Sequence, residues 1–93
     1  MRKEIIHIIY AEHVDDYKLK LWFNTGEVKI VDFRPYIDKG GIFAPLRDKD
    51  FFKSFYIDIN TVCWPNGADV APDTLYKIGK DLTSKPSRSI QGF

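Results

Sequence analysis

The sequence predicts an α+β domain, with a mostly antiparallel sheet of about five short strands and with a C-terminal helix and short helical turns on one face. Short runs of β-branched and aromatic residues are separated by turn-forming residues, as in antiparallel sheets. A late proline is followed by apolar residues three apart, which favours one helix near the end. The 93 residues, 44% of them hydrophobic, are enough for one core and too few for two.

The first two predicted strands differ in pattern. Residues Ile5 to Glu12 are rich in β-branched side chains, which predicts a strand covered on both faces. The run Val14-Asp15-Asp16 predicts a turn after it. From Tyr17 to Asn24 apolar residues alternate with mostly polar ones, which predicts a strand with one buried face. Its inward residues are Tyr17, Leu19, Leu21 and Phe23, and its outward residues are Lys18, Lys20, Trp22 and Asn24.

A hairpin turn and a proline bound the third strand. The turn Asn24–Glu27 contains a glycine, which adopts a positive φ most easily, and Val28–Phe33 forms the returning strand. Arg34-Pro35 ends this strand because proline cannot donate to a sheet ladder. We expect a helical turn over Tyr36–Lys39, stopped by Gly40-Gly41.

The register of this hairpin is predicted by aligning its apolar residues. Pairing Phe23 with Val28 does so, but it also places Asp32 opposite Leu19 on the buried face. We therefore expect a bulge near Val31, which would move the aspartate out of the core.

The middle of the chain is expected to hold a connector, one helical turn and a second hairpin. Phe43 and Leu46 of the connector are expected to fill the core, and Asp48 is expected to cap the helical turn by accepting from backbone amides. The second hairpin turns around Asp58-Ile59-Asn60. Its two strands are Phe55-Tyr56-Ile57 and Thr61-Val62-Cys63-Trp64.

A proline-containing turn and a helix follow. Trp64-Pro65-Asn66-Gly67 has the residue preferences of a type I turn. Pro72 suits the start of a helix that continues from Asp73 to about Gly79. Leu75 and Ile78 are three residues apart, so we expect both on the face that packs against the core.

The remaining organisation is simple. Residues 1–82 are expected to form the single domain, and residues 83–93, polar and without periodicity, a flexible tail. The net charge of +1 gives no long-range field that would attract a polyanion. No apolar run is long enough to span a bilayer and no cleavable signal is recognised, so we expect a cytoplasmic protein.

Several motifs resemble those of a known family. The most specific is Trp64-Pro65-Asn66-Gly67-Ala68-Asp69, followed by Pro72-Asp73-Thr74-Leu75-Tyr76. Phe43-Ala44-Pro45-Leu46 and Phe51-Phe52 precede them. Together they resemble the small prokaryotic domain-of-unknown-function family 2442, and the resemblance covers about residues 4 to 79.

This resemblance implies a compact α+β fold and no established activity. Members of the family are often small stand-alone proteins, and some are fused to a helix-turn-helix domain. Others are similar to one half of a two-gene pair arranged like a toxin and antitoxin. We expect no appended helix-turn-helix in this chain, which argues against direct operator binding.

The residues that most often carry chemistry have structural interpretations here. No phosphate-binding loop, dinucleotide-binding glycine triplet, zinc-protease helix or nucleophile elbow is present in the sequence. His7 and His13 would lie about 20 Å apart on one strand, too far to share a metal ion. Cys63, the only cysteine, is expected to be a small buried hydrophobe. We therefore expect no metal and no cofactor.

Five acidic residues of the second half occur where turns or helix starts favour a short carboxylate. They are Asp48, Asp50, Asp58, Asp69 and Asp73. Asp69 is expected to accept from backbone amides and so to hold the proline turn against the last helix. The structural motif predicted here consists of Trp64, Pro65, Asn66, Gly67, Asp69 and Pro72.

One surface stands out as a candidate contact site. Lys18, Lys20 and Trp22 share the outward face of the central hairpin, with Lys29 expected across the ladder and Arg34 beyond it. Such a face could hold a nucleic-acid strand by stacking and phosphate contact, or an acidic protein partner. The alternative is an ordinary solvated face of an antiparallel sheet. An exposed tryptophan favours a binding surface, and a tryptophan covered by the tail or a helix favours the alternative.

These observations lead to one main functional hypothesis and two alternatives. The main hypothesis is a non-catalytic interaction module, the regulatory or antitoxin-like half of a pair with another small protein. Its contact surface would be the face around Trp22 or an unpaired strand edge. The alternatives are a nucleic-acid-binding accessory protein and a small enzyme whose site no motif reveals.

Overall fold

A computed structural model describes residues 5–82, which form two antiparallel sheets and several short helices. In chain order the elements are β1 (Ile8–Asp15), β2 (Lys18–Phe23), β3 (Val28–Asp32), α1 (Arg34–Lys39), a 3₁₀ helix (Gly41–Arg47), α2 (Lys49–Phe52), β4 (Tyr56–Asp58), β5 (Thr61–Cys63), α3 (Pro72–Ile78) and β6 (Lys80–Asp81). The first sheet has the strand order β1-β2-β3-β6, and β4 pairs with β5 in the second. The predicted α+β class is confirmed, with six strands among the described residues.

The core lies against one face of the four-stranded sheet. The inward residues of β2, namely Leu19, Leu21 and Phe23, are fully buried, as the alternating pattern predicts. Aromatic rings from the other elements complete this core, and the ring centroids of Phe52 and Trp64 lie 5.7 Å apart. The Trp64 indole Nε1–H also donates to the backbone carbonyl of Phe52 at 2.8 Å, so the buried polar atom has a partner.

The first strand differs from its prediction. It runs to Asp15, so the expected turn at Val14 is wrong, and the chain reverses at Asp16, which has a positive φ of 36°. Ile8 is buried, but Ile9 and Tyr10 are exposed, so the strand is not covered on both faces. The reason is that the buried side chains of the helices and of β5 join one core cluster with the inward residues of β2.

The register of the β2–β3 hairpin is shifted by one residue from the predicted one. Val28 pairs with Trp22, and Leu21 pairs with Lys29. Asp32 pairs with Lys18 on the outer face, so no bulge is needed to remove it from the core. Since side chains alternate between faces, the shift moves Val28, Lys29 and Ile30 to the face opposite the predicted one.

The remaining helices and the second hairpin follow the sequence closely. The turn residues Gly40 and Gly41 have positive φ after α1, and Leu46 is buried while Phe43 packs against the core. The Asp48 carboxylate accepts from the Asp50 amide at 2.9 Å and caps α2. The strands β4 and β5 form the predicted hairpin around Ile59.

The end of the domain contains one strand that the sequence did not predict. Helix α3 begins at Pro72, as predicted, and buries Leu75, but Ile78 is exposed. The chain then pairs with β3 as β6. Gly79 allows this close approach, because an added Cβ would lie 2.9 Å from the Cβ of Lys29. The predicted flexible tail, residues 83–93, lies outside the described residues.

No helix within residues 5–82 has the length and apolar composition needed to cross a bilayer.

Candidate protein-binding surface

The four-stranded sheet has a second face that points away from the core, which we call the outer face. The pairing of the strands places these side chains on it: Tyr10, Glu12, Asp15, Lys18, Lys20, Trp22, Val28, Ile30, Asp32 and Lys80. Of the predicted contact residues, Trp22, Lys18 and Lys20 therefore lie together as expected. Tyr10, Val28 and Ile30 were not predicted to lie there, because their position depends on the register.

An apolar row crosses the outer face at one end of the sheet. Tyr10 pairs with Trp22, and Trp22 pairs with Val28. Leu82 continues the row, since its backbone N–H donates to the Val28 carbonyl at 2.8 Å and it lies two residues after outward-facing Lys80. We call Tyr10, Trp22, Val28 and Leu82 the apolar row.

The aromatic pair in this row is preorganised. The ring centroids of Tyr10 and Trp22 lie 5.0 Å apart in a tilted arrangement, and the Lys20 ammonium lies 5.0 Å from the Trp22 ring centre. Tyr10 is 55% exposed, and Trp22 is partly exposed. Among the described residues, the ring contacts of Trp22 come from within the sheet and not from a covering helix.

The charges on the outer face are mixed and not uniformly basic. Lys18 and Lys20 lie opposite Asp32 and Glu12 respectively. Two nitrogens of Arg34 donate to the Asp32 carboxylate, Nη2 to Oδ2 at 2.9 Å and Nε to Oδ1 at 3.2 Å. This hydrogen bonding lowers the pKa of Asp32 and raises that of Arg34. Arg34 is thus already paired with a neighbour.

Lys29 is a correction to the predicted surface. It was expected beside Lys20 on the outer face, but the register turns it inward, where it is only 8% exposed. Its ammonium lies 4.2 Å from the ring centre of Tyr76 in α3. The Tyr76 hydroxyl donates to the Glu27 carboxylate, which raises the pKa of Tyr76. Lys29 therefore helps to hold α3 on the sheet.

Two shallow grooves adjoin the outer face where α1 and α3 approach β3. Both are lined by Asp32 and Ile78. Their other lining residues are Pro35, Tyr36 and Lys39 in one and Lys18, Ile30 and Lys80 in the other. Asp32 is the carboxylate in both grooves, and its engagement with Arg34 keeps it in the ionised form.

The proline turn is held by a different residue from the one predicted. Gly67 N–H donates to the Trp64 carbonyl at 2.9 Å and closes the turn, and Gly67 has a φ of +93°. The Asn66 amide group donates to the Ile42 carbonyl at 2.8 Å and accepts from Ala68 N–H at 3.2 Å. The side chain of Asp69 is exposed, and its backbone bridges Cys63. The Asn66 side chain therefore connects the proline turn to the 3₁₀ helix, whereas Asp69 was expected to hold the turn against the last helix.

The contacts of the His13 ring and of the Cys63 thiol indicate structural roles for both side chains. The His13 ring packs edge-on against Phe52 at 6.0 Å, and its Nε2 lies 2.9 Å from the Asp16 carbonyl oxygen. Burial, with help from Asp69 and Asp58, raises the pKa of the Cys63 thiol and so disfavours the reactive thiolate. Within residues 5–82, no three His, Cys, Asp or Glu side chains are grouped as metal ligands would be.

Comparison with known proteins gives one match. Residues 8–81 match the family described as "Protein of unknown function (DUF2442)". This range begins with β1 and ends with β6, and it confirms the resemblance seen in the sequence. No curated protein and no solved structure shows significant similarity to the chain.

Proposed function

The chain belongs to the DUF2442 family of proteins of unknown function, and from this premise we propose that it is a protein-interaction module, the regulatory or antitoxin-like half of a two-protein pair. The observation that carries this proposal is the apolar row, a strip of aromatic and aliphatic side chains on the sheet in which Tyr10 and Leu82 are exposed and Trp22 and Val28 are partly exposed. Contiguous exposed apolar surface rimmed by polar residues is characteristic of interaction sites. The regulatory role itself rests on the family resemblance.

The chemistry of the surface indicates what the partner would present. Tyr10 and Trp22 are large, preorganised side chains of the type that anchors protein interfaces. Lys20 and Lys80 form the next positions beside the row on β2 and β6. A partner segment with a few apolar side chains and carboxylates along one flank would complement both features.

The same charges favour a protein over a nucleic acid. A strand of nucleic acid binds mainly through phosphate contacts, which require a surplus of free cations. On the outer face Glu12 and Asp32 offset part of the lysine charge, and Arg34 is committed to Asp32. The inward position of Lys29 removes a further cation from this face.

The test is to co-express the chain with the protein encoded by the adjacent gene and to measure their affinity by calorimetry. We expect binding that weakens by about 10- to 100-fold in Trp22→Ala, as for an anchor residue at an interface. Ile42→Ala is the matched control, because Ile42 is also an exposed apolar residue but lies outside the apolar row. Circular dichroism checks that both variants fold.

Two outcomes would contradict the proposal. Equal loss of affinity in both variants would show that the apolar row does not lie in the interface. Binding to a single-stranded oligonucleotide that falls steeply with salt, and falls again in Lys20→Glu, would favour the nucleic-acid alternative.

A further inference from the structure

Helix α3 ends in an apolar residue that the core does not use. The three-residue spacing predicted that Leu75 and Ile78 would both pack inward, but Leu75 is buried and Ile78 is 49% exposed. Ile78 lines both of the grooves beside β3, as does Asp32. The two grooves therefore adjoin each other at these two residues.

The larger groove has the composition of a small-ligand site. Its volume is about 390 Å³, and it is lined by Asp32, Pro35, Tyr36, Lys39 and Ile78. We call it the α1–α3 groove. Three of these residues are apolar or aromatic, and two are charged. Sites for small molecules measure about 300–1,000 Å³ and combine apolar walls with a few polar groups in this way.

The charges at the groove favour an anionic ligand. Asp32 is the one carboxylate that lines it, and both of its oxygens already accept hydrogen bonds from Arg34. Lys39 forms no ion pair with any residue in the range 5–82. The same holds for Lys80, which lines the adjoining groove. The charge available to a ligand is therefore positive.

Tyr36 adds a hydrogen-bond donor to the same wall. Its ring is positioned by Phe33 and Phe43, whose ring centroids lie 6.0 and 5.3 Å away. Its hydroxyl makes no hydrogen bond with another residue of the part of the chain that the structure describes. The Lys39 ammonium lies 5.9 Å from the centre of the Tyr36 ring. An ammonium and a phenolic O–H both donate to a carboxylate.

We propose that the α1–α3 groove binds a small organic anion with an apolar body and a carboxylate at one end. The carboxylate accepts from the Lys39 ammonium and the Tyr36 hydroxyl, and the body covers Pro35 and Ile78. A cationic ligand would need the Asp32 carboxylate, which Arg34 already engages. The site goes beyond the proposed interaction role, since no residue of the apolar row lines the groove.

The experiment is a two-dimensional NMR titration of the isotope-labelled full chain with phenylbutyrate, at about 20 mM salt so that charges are weakly screened. We expect the amide signals of Asp32, Tyr36 and Lys39 to shift. The dissociation constant should be about 1 mM, as for a ligand of about twelve non-hydrogen atoms. The neutral phenylbutanamide has the same apolar body and should bind at least about 3-fold more weakly, because it lacks the charge.

Four variants identify the residues that bind the probe. Lys39→Gln should weaken binding by about 2- to 5-fold, as for an exposed ion pair. Tyr36→Phe keeps the ring contacts and removes only the hydroxyl, and it should weaken binding by about 2- to 10-fold. Ile78→Ser should weaken it by about 3- to 10-fold through loss of apolar contact. Lys53→Gln is the matched control, because Lys53 is an exposed lysine that lines neither groove.

Any one of five results would refute the site. The groove signals do not shift at about 20 mM probe, well above the expected dissociation constant. The amide binds as tightly as the carboxylate. Lys39→Gln binds like Lys53→Gln. The shifts occur at Tyr10 and Trp22, which would place the probe on the apolar row. An acidic peptide binds the groove at least about 10-fold more tightly than phenylbutyrate, which would make the occupant a protein segment.

This proposal and the proposed function fail separately. The titration uses the chain alone, so failure to bind the adjacent-gene product would leave it unchanged. Trp22→Ala, which is expected to weaken the protein partner, should bind phenylbutyrate like the wild type, because Trp22 does not line the groove.

Discussion

The two hairpins of this domain follow opposite rules at their turns. In the β2–β3 turn, Gly26 has a φ of +95°, which glycine adopts without strain, and an added Cβ would find open space. In the β4–β5 turn, Ile59 has a positive φ that its β-branched side chain disfavours. Local residue choice agrees with the backbone in the first hairpin and conflicts with it in the second. Such conflicts are expected where a residue serves something other than folding.

The strands of the two hairpins differ in how far their side chains are buried. Every residue of β2 is at least partly buried, and its inward side chains form the centre of the core. All three residues of β4 are exposed. In the second hairpin β5 buries Thr61 and Val62, whereas β4 is a surface strand whose side chains can vary with little effect on folding.

The largest expected effect is a contrast between apolar residues of the two hairpins. Leu21→Ala should destabilise the domain by about 2–5 kcal/mol, because Leu21 is fully buried and its truncation leaves a cavity. Ile57→Ala in β4 should cost less than about 1.5 kcal/mol, since Ile57 is already 37% exposed. Urea unfolding followed by circular dichroism measures both. Similar losses would show that the second hairpin is as central to the fold as the first.

A smaller effect tests the observed register of the first hairpin. Lys29→Gln should cost about 1–2 kcal/mol, because it removes the ammonium from the Tyr76 ring inside the domain. Lys20→Gln on the outer face is the matched control and should change stability by no more than about 0.5 kcal/mol. If urea unfolding shows that both substitutions lower the stability by the same small amount, then Lys29 faces outward and the register predicted from the sequence is right.

The register of the β2–β3 hairpin is the part of the fold that the sequence predicted wrongly. The alternation in β2 predicted its buried face correctly, because polar and apolar residues differ clearly at each position. In β3 the signal misleads, since apolar Val28 and Ile30 lie on the outer face while the aliphatic stem of Lys29 packs inward. Strand β6 has two residues, too few for any periodicity, and its pairing depends on the close approach at Gly79.

The candidate surface was predictable in part for the same reason. The sequence placed Lys18, Lys20 and Trp22 together because all three belong to one alternating strand. Tyr10 and Val28 join them only through pairing between strands, which the sequence did not determine. For Ile59, the short Asp58-Ile59-Asn60 connection was recognised as a turn. The two turn types that a two-residue loop favours, I′ and II′, both have a positive φ at the first central position, so the conflict at Ile59 could have been noticed.

The smallest effect, and the sharpest test of the two turns, is a pair of substitutions with opposite signs. Gly26→Ala should destabilise the domain by about 1 kcal/mol, and the cost comes from the backbone alone, because no atom lies within 4 Å of the new Cβ. Ile59→Asn should stabilise it by about 1 kcal/mol, since asparagine relieves the strain and little buried area is lost.

Thermal and urea unfolding followed by circular dichroism measure both values. A loss of stability in Ile59→Asn would mean that the isoleucine side chain supports the fold of its own protomer. The contrast between the turns would then disappear, because both turns would be explained by folding. A gain, together with a loss in Gly26→Ala, would show that the isoleucine at position 59 opposes the stability of its own turn while the glycine at position 26 supports that of its turn.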